Sequence, residues 1–274
     1  KAADSMSISN LSTAQINALS TTVIEGLTAT DIQSLSSSQV GAINTSGIAV
    51  INATQLAALT PSQVKGLTTT QIPALTGALV FGTSQLLVLS NPQFGALTGT
   101  QIDNLDVTHI GVLSSGQIGA LGATNFSSLS ATQVGGLDAT QVKGLSATEL
   151  KGLSATDIGE FKDTQIAALS GVQIGALSAT NFSNLDATAV GGLTATQLKG
   201  VTTTQLAGLT ATALSDLSST QIGELATNQL AALTTTSLSN LATTQVSGLS
   251  AAQIGSLTNT EFAALSATAV GTLT

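Results

Sequence analysis

The amino-acid sequence predicts an all-α solenoid, a superhelix of very short helices with one helix in every eight residues. Three observations carry this reading. An aliphatic residue, nearly always leucine, recurs at eight-residue intervals along almost the whole chain. The residue after it belongs to the small set of side chains that start helices. The apolar positions are also spaced so that no single long helix could keep them on one face.

The octads begin at Leu11 and run in register through Leu19, Leu27, Leu35, Ile43, Ile51, Leu59, Leu67 and Leu75. There the phase breaks. The segment "LTGALV", Leu75 to Val80, is two residues short, and a new register starts at Phe81 and holds to Leu265. About thirty-two full units result, the signature of a repeat architecture. Three segments follow: a lead-in over 1–10, an octad array over 11–80 that ends in the shortened unit, and an array in shifted register over 81–274. A shortened unit of this kind reads as a tolerated deletion, with a kink or a lateral contact patch as the alternatives. A longer echo is also present: "LGATNFSSLSATQVGGLDATQVKG" from Leu121 is matched by "LSATNFSNLDATAVGGLTATQLKG" from Leu177, seven octads on.

Within a unit, counted from the leucine, positions one and six are the buried pair. Position two is mostly Ser or Thr, but also Asp106, Asp138, Asp186, Asn44 and Asn52. These side chains share a short oxygen that accepts a hydrogen bond from the free N–H groups of a first helical turn. Position five, three residues later, is usually Gln, with Asp31, Glu149, Asp157, Asn125 and Glu261 as variants. That is the reciprocal partner in a capping box, and positions one and six then fall where a hydrophobic staple needs them. Pro61 sits at the first helical position, where its missing N–H costs nothing. Small residues at positions seven and eight suit a tight helix exit.

A single turn is unstable in water because nucleation is costly, so the turns must stack on a shared core. On a continuous helix, at about 100° per residue, the leucine would rotate by roughly 80° with every octad. The chain must therefore change direction at each unit. The rival architecture is a β-solenoid with about two octads per coil, favoured by β-branched runs such as "TTT". Against it, the odd spacing between positions one and six puts them on opposite faces of a strand.

Function is read mostly from exclusions. Charged residues are 7% of the chain, there is no arginine, and the formal charge is -8, which repels a phosphate backbone. Nucleic acid is not an expected partner. No stretch approaches the roughly 18 apolar residues of a membrane helix. Cysteine is absent, which fits an exported protein, and the opening at Lys1 without a signal pattern reads as a processed chain or a fragment.

His109 is the only histidine and stands in the position-five slot, with only Asp103 and Asp106 near it in sequence. A helix start explains it better than a metal site or a catalytic dyad, which need convergent partners. Asp31, Asp138, Asp157, Asp186, Glu160 and Glu224 are scattered over cap and exit positions. N-x-[ST] triplets at Asn10, Asn44, Asn52, Asn125 and Asn181 arise readily in so Ser/Thr-rich a chain. No catalytic, cofactor-binding or metal-ligating residue is assigned, and no enzyme activity or cofactor is expected.

The segment "LTPSQVK", Leu59 to Lys65, resembles the first-helix opening of TAL-effector DNA-binding repeats, but their longer period is missing and the likeness is one of helix start. More broadly, the Leu/Thr/Gln-rich octads resemble the arrays of bacterial secreted and surface proteins of adhesin-like type. That resemblance implies an extracellular or cell-surface structural protein that forms a rod or filament by end-to-end or lateral self-association. Its alternative is a binding module, an adhesin stalk contacting surface polysaccharide or an ice-binding protein. Threonines at positions two and four raise the ice reading, and free exchange of position two with Ser, Asp and Asn argues against it.

Overall fold

A computed structural model describes residues 7–76 and 81–273. Among them are thirty-one α-helices of four to six residues, two 3-10 turns at Ile8–Asn10 and Ile72–Ala74, and no strand. The chain forms two compact units, Lys1–Gly136 and Leu137–Thr274. Each is an all-helical coil of octads. The β alternative fails because the residue at position two caps a helix.

The Leu129 octad shows how. The Ser130 hydroxyl accepts the Gln133 N–H at 3.3 Å, and the Gln133 side-chain oxygen accepts the Ser130 N–H at 2.8 Å. Val134 N–H then donates to the Ser130 carbonyl at 2.9 Å and closes the first turn. A carboxylate cap can take two donors, as when Asp138 accepts the N–H groups of Thr140 and Gln141 at 2.7 and 2.8 Å. The helix ends when the next leucine N–H reaches back three residues, Leu177 to the Ile174 carbonyl at 3.2 Å, and the leucine takes extended backbone, φ -59 and ψ 144. That extended residue is where the chain turns. In the Leu67 octad Pro73 stands at position seven, without an N–H to give, and the unit winds as a 3-10 turn.

Positions one and six line the interior of each unit. In the second unit these include Leu145, Leu150, Leu169, Ile174, Leu193, Leu198, Leu217 and Ile222, all buried. The apolar axis is made of aliphatic chains, with Phe126 in the first unit and Phe182 in the second standing at position six.

Neighbouring coils approach most closely through glycine. In the second unit, Gly171 and Gly175, positions three and seven of one octad, face Gly200, position eight of the octad three units on. A Cβ on Gly200 would collide with the Gly171 carbonyl, and one on Gly175 with the Gly200 carbonyl. Gly223 and Gly248 repeat the arrangement. This corrects the helix-exit reading of positions seven and eight. Among the described residues only Gly122 has a positive φ, +72°, so the exits do not use left-handed glycines. At positions such as these, small residues let the next coil approach.

Gly200→Ala is therefore expected to destabilise the second unit by about 1–3 kcal/mol, the usual cost of overpacking. Gly191→Ala, whose added methyl meets nothing within 4 Å, serves as the control. It should be neutral or stabilising by up to ~1 kcal/mol, since glycine disfavours a helix by that order. Denaturant midpoints of the two variants test the pair.

Candidate functional site: the glutamine ladder between coils

The position-five glutamine does more than cap its own helix. Gln205 is 1% exposed. Its Oε1 accepts the Thr202 N–H at 2.7 Å, and its Nε2 donates to the carbonyls of Ile174 at 2.8 Å and Leu177 at 2.9 Å. Those carbonyls belong to the end of a helix and to the leucine after it, one coil back. The last carbonyls of a helix lack the N–H of a further helical turn. The Leu177 N–H already reaches the Ile174 carbonyl, and the glutamine amide of the next coil adds a second donor there and supplies one to the Leu177 carbonyl.

The bond recurs in fixed register. In the second unit Gln197, Gln221, Gln229, Gln245 and Gln253 reach residues 31 and 28 places back, positions six and one, and Gln197 and Gln221 also reach position seven, at Ala167 and Gly191. Gln55, Gln63, Gln71, Gln117 and Gln133 do the same in the first. One coil thus takes about 28 residues, or three and a half octads, rather than two.

Around the phase break the separations become 29 and 26. Gln85 donates to Leu56 and Leu59, Gln93 to Val64 and Leu67, and Gln101 to Ile72 and Leu75. The partners are again positions six and one. The missing two residues shorten the coil in sequence while its hydrogen bonds keep their places. Most of the shortened unit, residues 77–80, lies outside the described residues.

Where glutamine is replaced, part of its work moves elsewhere. Asn181, one methylene shorter, reaches only the Leu153 carbonyl, at 2.8 Å. In the Ile43 octad position five is Gly47, and the cap Asn44 accepts the Gly47 N–H at 2.8 Å while donating to the Asn17 and Leu19 carbonyls at 2.7 and 3.1 Å. In the Leu209 octad position five is Ala213, and the Thr210 N–H donates instead to the Ser183 hydroxyl at 3.1 Å, one coil back. The Leu185 octad has Ala189, beside a cavity of about 220 Å³ lined by Ile158, Phe161, Asp163, Asp186 and others. A glutamine at 189 would point at Ile158 and Phe161, by the register of its neighbours.

The titratable residues singled out from the sequence fall into this scheme. Asp106 caps its helix by accepting the Thr108 and His109 N–H groups at 2.8 and 2.9 Å, and His109 Nδ1 lies 2.7 Å from the same carboxylate. The His109 N–H, then the imidazole's hydrogen bond and charge, hold the Asp106 carboxyl below its ordinary value against a desolvation effect that opposes them. Asp103, the other acid near His109 in sequence, lines an open cavity with Asp106, Val107 and Ser130. The Thr28 hydroxyl and N–H likewise lower Asp31. Both carboxyls bind protons less readily folded than unfolded. The stability they give is present above the unfolded value and is lost as pH falls through the folded one. Burial, then the charge of Asp157, pushes Glu160 up, so its contribution has the opposite sign.

Asp138 and Asp186 are caps, and Asp157 accepts the Ser154 N–H at 2.6 Å from position five. Of the five N-x-[ST] asparagines, Asn181 is buried and Asn125 gives its amide to the Leu97 carbonyl at 3.0 Å. Asn44 and Asn52 are caps. A glycan on Asn44, Asn125 or Asn181 would take an amide nitrogen that bonds a carbonyl one coil back; Asn52, whose cap uses only its oxygen, and Asn10 are exposed. Among the described residues no group of three His, Cys, Asp or Glu side chains is placed to hold a metal ion, and no helix is long and apolar enough to cross a membrane. Sequence reasoning missed the ladder. Its signal was the strong preference for Gln over Glu at position five, since either completes a capping box and only Gln has N–H groups left to give.

Gln205→Ala should cost about 1–3 kcal/mol, the penalty for buried groups left without partners. Gln205→Glu keeps the capping acceptor and loses both donors, so it separates the two roles. The ladder requires it to destabilise at neutral pH at least as much as alanine does, whereas a cap-only glutamine would tolerate it. Ala189→Gln restores the ladder amide at an octad that lacks one and should stabilise by roughly 1–2 kcal/mol. Denaturant titrations of the three variants check these outcomes.

Compared with known proteins, residues 40–77 match the family described as the ALTTAQ repeat. The six letters spell positions eight and one to five of the octad, ending on the glutamine of the ladder. No curated protein matches the chain.

Proposed function

We propose that the protein is a non-catalytic structural component of the cell exterior, a repeat scaffold that builds a rod or filament by self-association. The observation that carries this is the use to which its polar groups are put. The cap hydroxyls and carboxylates hold N–H groups of their own helices, and the ladder amides hold carbonyls one coil back, so the chemistry that could act on a substrate is spent on the backbone. His109 and Asp106, the one pair with catalytic residue types, share a helix start.

Negative-stain electron microscopy and sedimentation of the purified protein test the proposal. Rods or filaments whose length grows with protein concentration are expected. Discrete monomers at every concentration, with retention on polysaccharide or thermal hysteresis, would replace it with the binding-module reading.

A further inference from the structure

The 28-residue coil fixes which exposed side chains share a side of the second unit. Positions seven octads apart are two coils apart and return to the same side. Lys143 and Lys199 are such a pair, both at position seven and both exposed. Glu160 and Asp216 are another, both at position eight and both partly exposed. Asn184 and Asn240 also stand at position eight, three octads after each acid in turn, and continue that edge as a polar ridge.

The two pairs lie on different sides. Each acid lies two octads and one position beyond its lysine, Lys143 to Glu160 and Lys199 to Asp216, which is rather more than half of a coil. Among the described residues none of these four side chains forms an ion pair, whereas His109 and Asp106 do.

We propose that these two sides of the second unit are complementary faces that join a second copy of this chain laterally. Lys143 and Lys199 of one copy meet Glu160 and Asp216 of its parallel neighbour. The charges are opposite, the spacing along the coil is the same two turns on both sides, and the offset from lysine to acid is the same for both pairs. One axial stagger therefore engages both contacts at once. The interface is heterologous, since each copy presents lysines to one neighbour and acids to the other. Such contacts continue into an open array unless a rotation closes them. Exposed ion pairs are weak singly and screened by salt, so the contact gains strength from repetition along the array. This inference rests on the self-association reading and names the surfaces that the lateral contact uses.

The test uses the full chain with two charge-reversal variants, Lys143→Glu/Lys199→Glu and Glu160→Lys/Asp216→Lys. Circular dichroism confirms that each keeps the wild-type helix content. In low salt the wild type is expected to form laterally associated species by sedimentation and electron microscopy, and these should fall apart as salt is raised. Each variant alone should associate at least tenfold more weakly. An equimolar mixture should recover assembly, because the native acids of one variant then meet the native lysines of the other, and the two reversed faces meet each other with opposite sign. Variants that associate as the wild type does, or a mixture that fails to recover, would overturn the assigned faces and leave self-association standing. A wild type that remains monomeric in low salt at every concentration would overturn both.

Discussion

The glutamine amide at position five is the constraint on which the fold depends. A helix of four to six residues has no interior, and nearly all of its N–H and C=O groups are end groups that the helix cannot satisfy by itself. A coil made only of such helices would bury a dense set of unpaired carbonyls along its core. The amide resolves this from one side chain. Its oxygen closes the start of its own helix, and its nitrogen closes the end of a helix one coil back, as Gln205 does for Thr202, Ile174 and Leu177. Hydrophobic burial at positions one and six draws the octads together, but it is not directional. The amide supplies direction, because its donors reach carbonyls at one helix end in the preceding coil, as those of Gln205 reach Ile174 and Leu177. The same bond makes the octads interdependent, since each helix has one end completed by its own unit and the other by a later one.

The ladder also explains which departures from the repeat are tolerated. A carboxylate at position five, as in Glu149 or Asp157, preserves the capping acceptor, whose bonds to Ser146 and Ser154 measure 2.7 and 2.6 Å. Asparagine keeps a donor and gives up the box. Glycine is accepted at 47 because Asn44 carries both halves of the function from position two, and the Ile43 and Ile24 side chains leave little room there, within 3.0 and 3.2 Å of where a Cβ would stand.

Much of this fold was legible in the sequence because caps and staples are local. Ser130 and Gln133 are three residues apart, and their reciprocal bonds follow from residue type alone; the same holds for the leucine that must turn the chain. The length of a coil was not legible, because it is fixed by contacts between positions 28 and 31 apart that no local rule specifies. Without it, the surplus of Gln over Glu had no visible purpose, and glycines such as Gly175 and Gly200 were assigned to helix exits. Both belong to the contact between coils. At the candidate site, the cap roles of Asp106, Asp138 and Asp186 could be read from their place after a leucine, and the vacancy beside Ala189 could not.

Coil length also gives meaning to the seven-octad echo. Within one unit, seven octads are two coils of three and a half, so a segment copied over that length returns to the same side. Asn125 of the first unit and Asn181 of the second make the same contact, each inside its own unit. They stand seven octads apart, and each gives its amide to the position-one carbonyl one coil back, at 3.0 Å to Leu97 and 2.8 Å to Leu153. A copy of any number of octads that is not a multiple of seven would instead arrive on a different side of the coil or out of step with its octads. Its close-approach glycines would then face side chains that need room. Growth by whole pairs of coils keeps glycine against carbonyl and amide against helix end. It also sets the axial spacing at which an outward-facing charge repeats, so the rule that preserves the core spaces the surface as well.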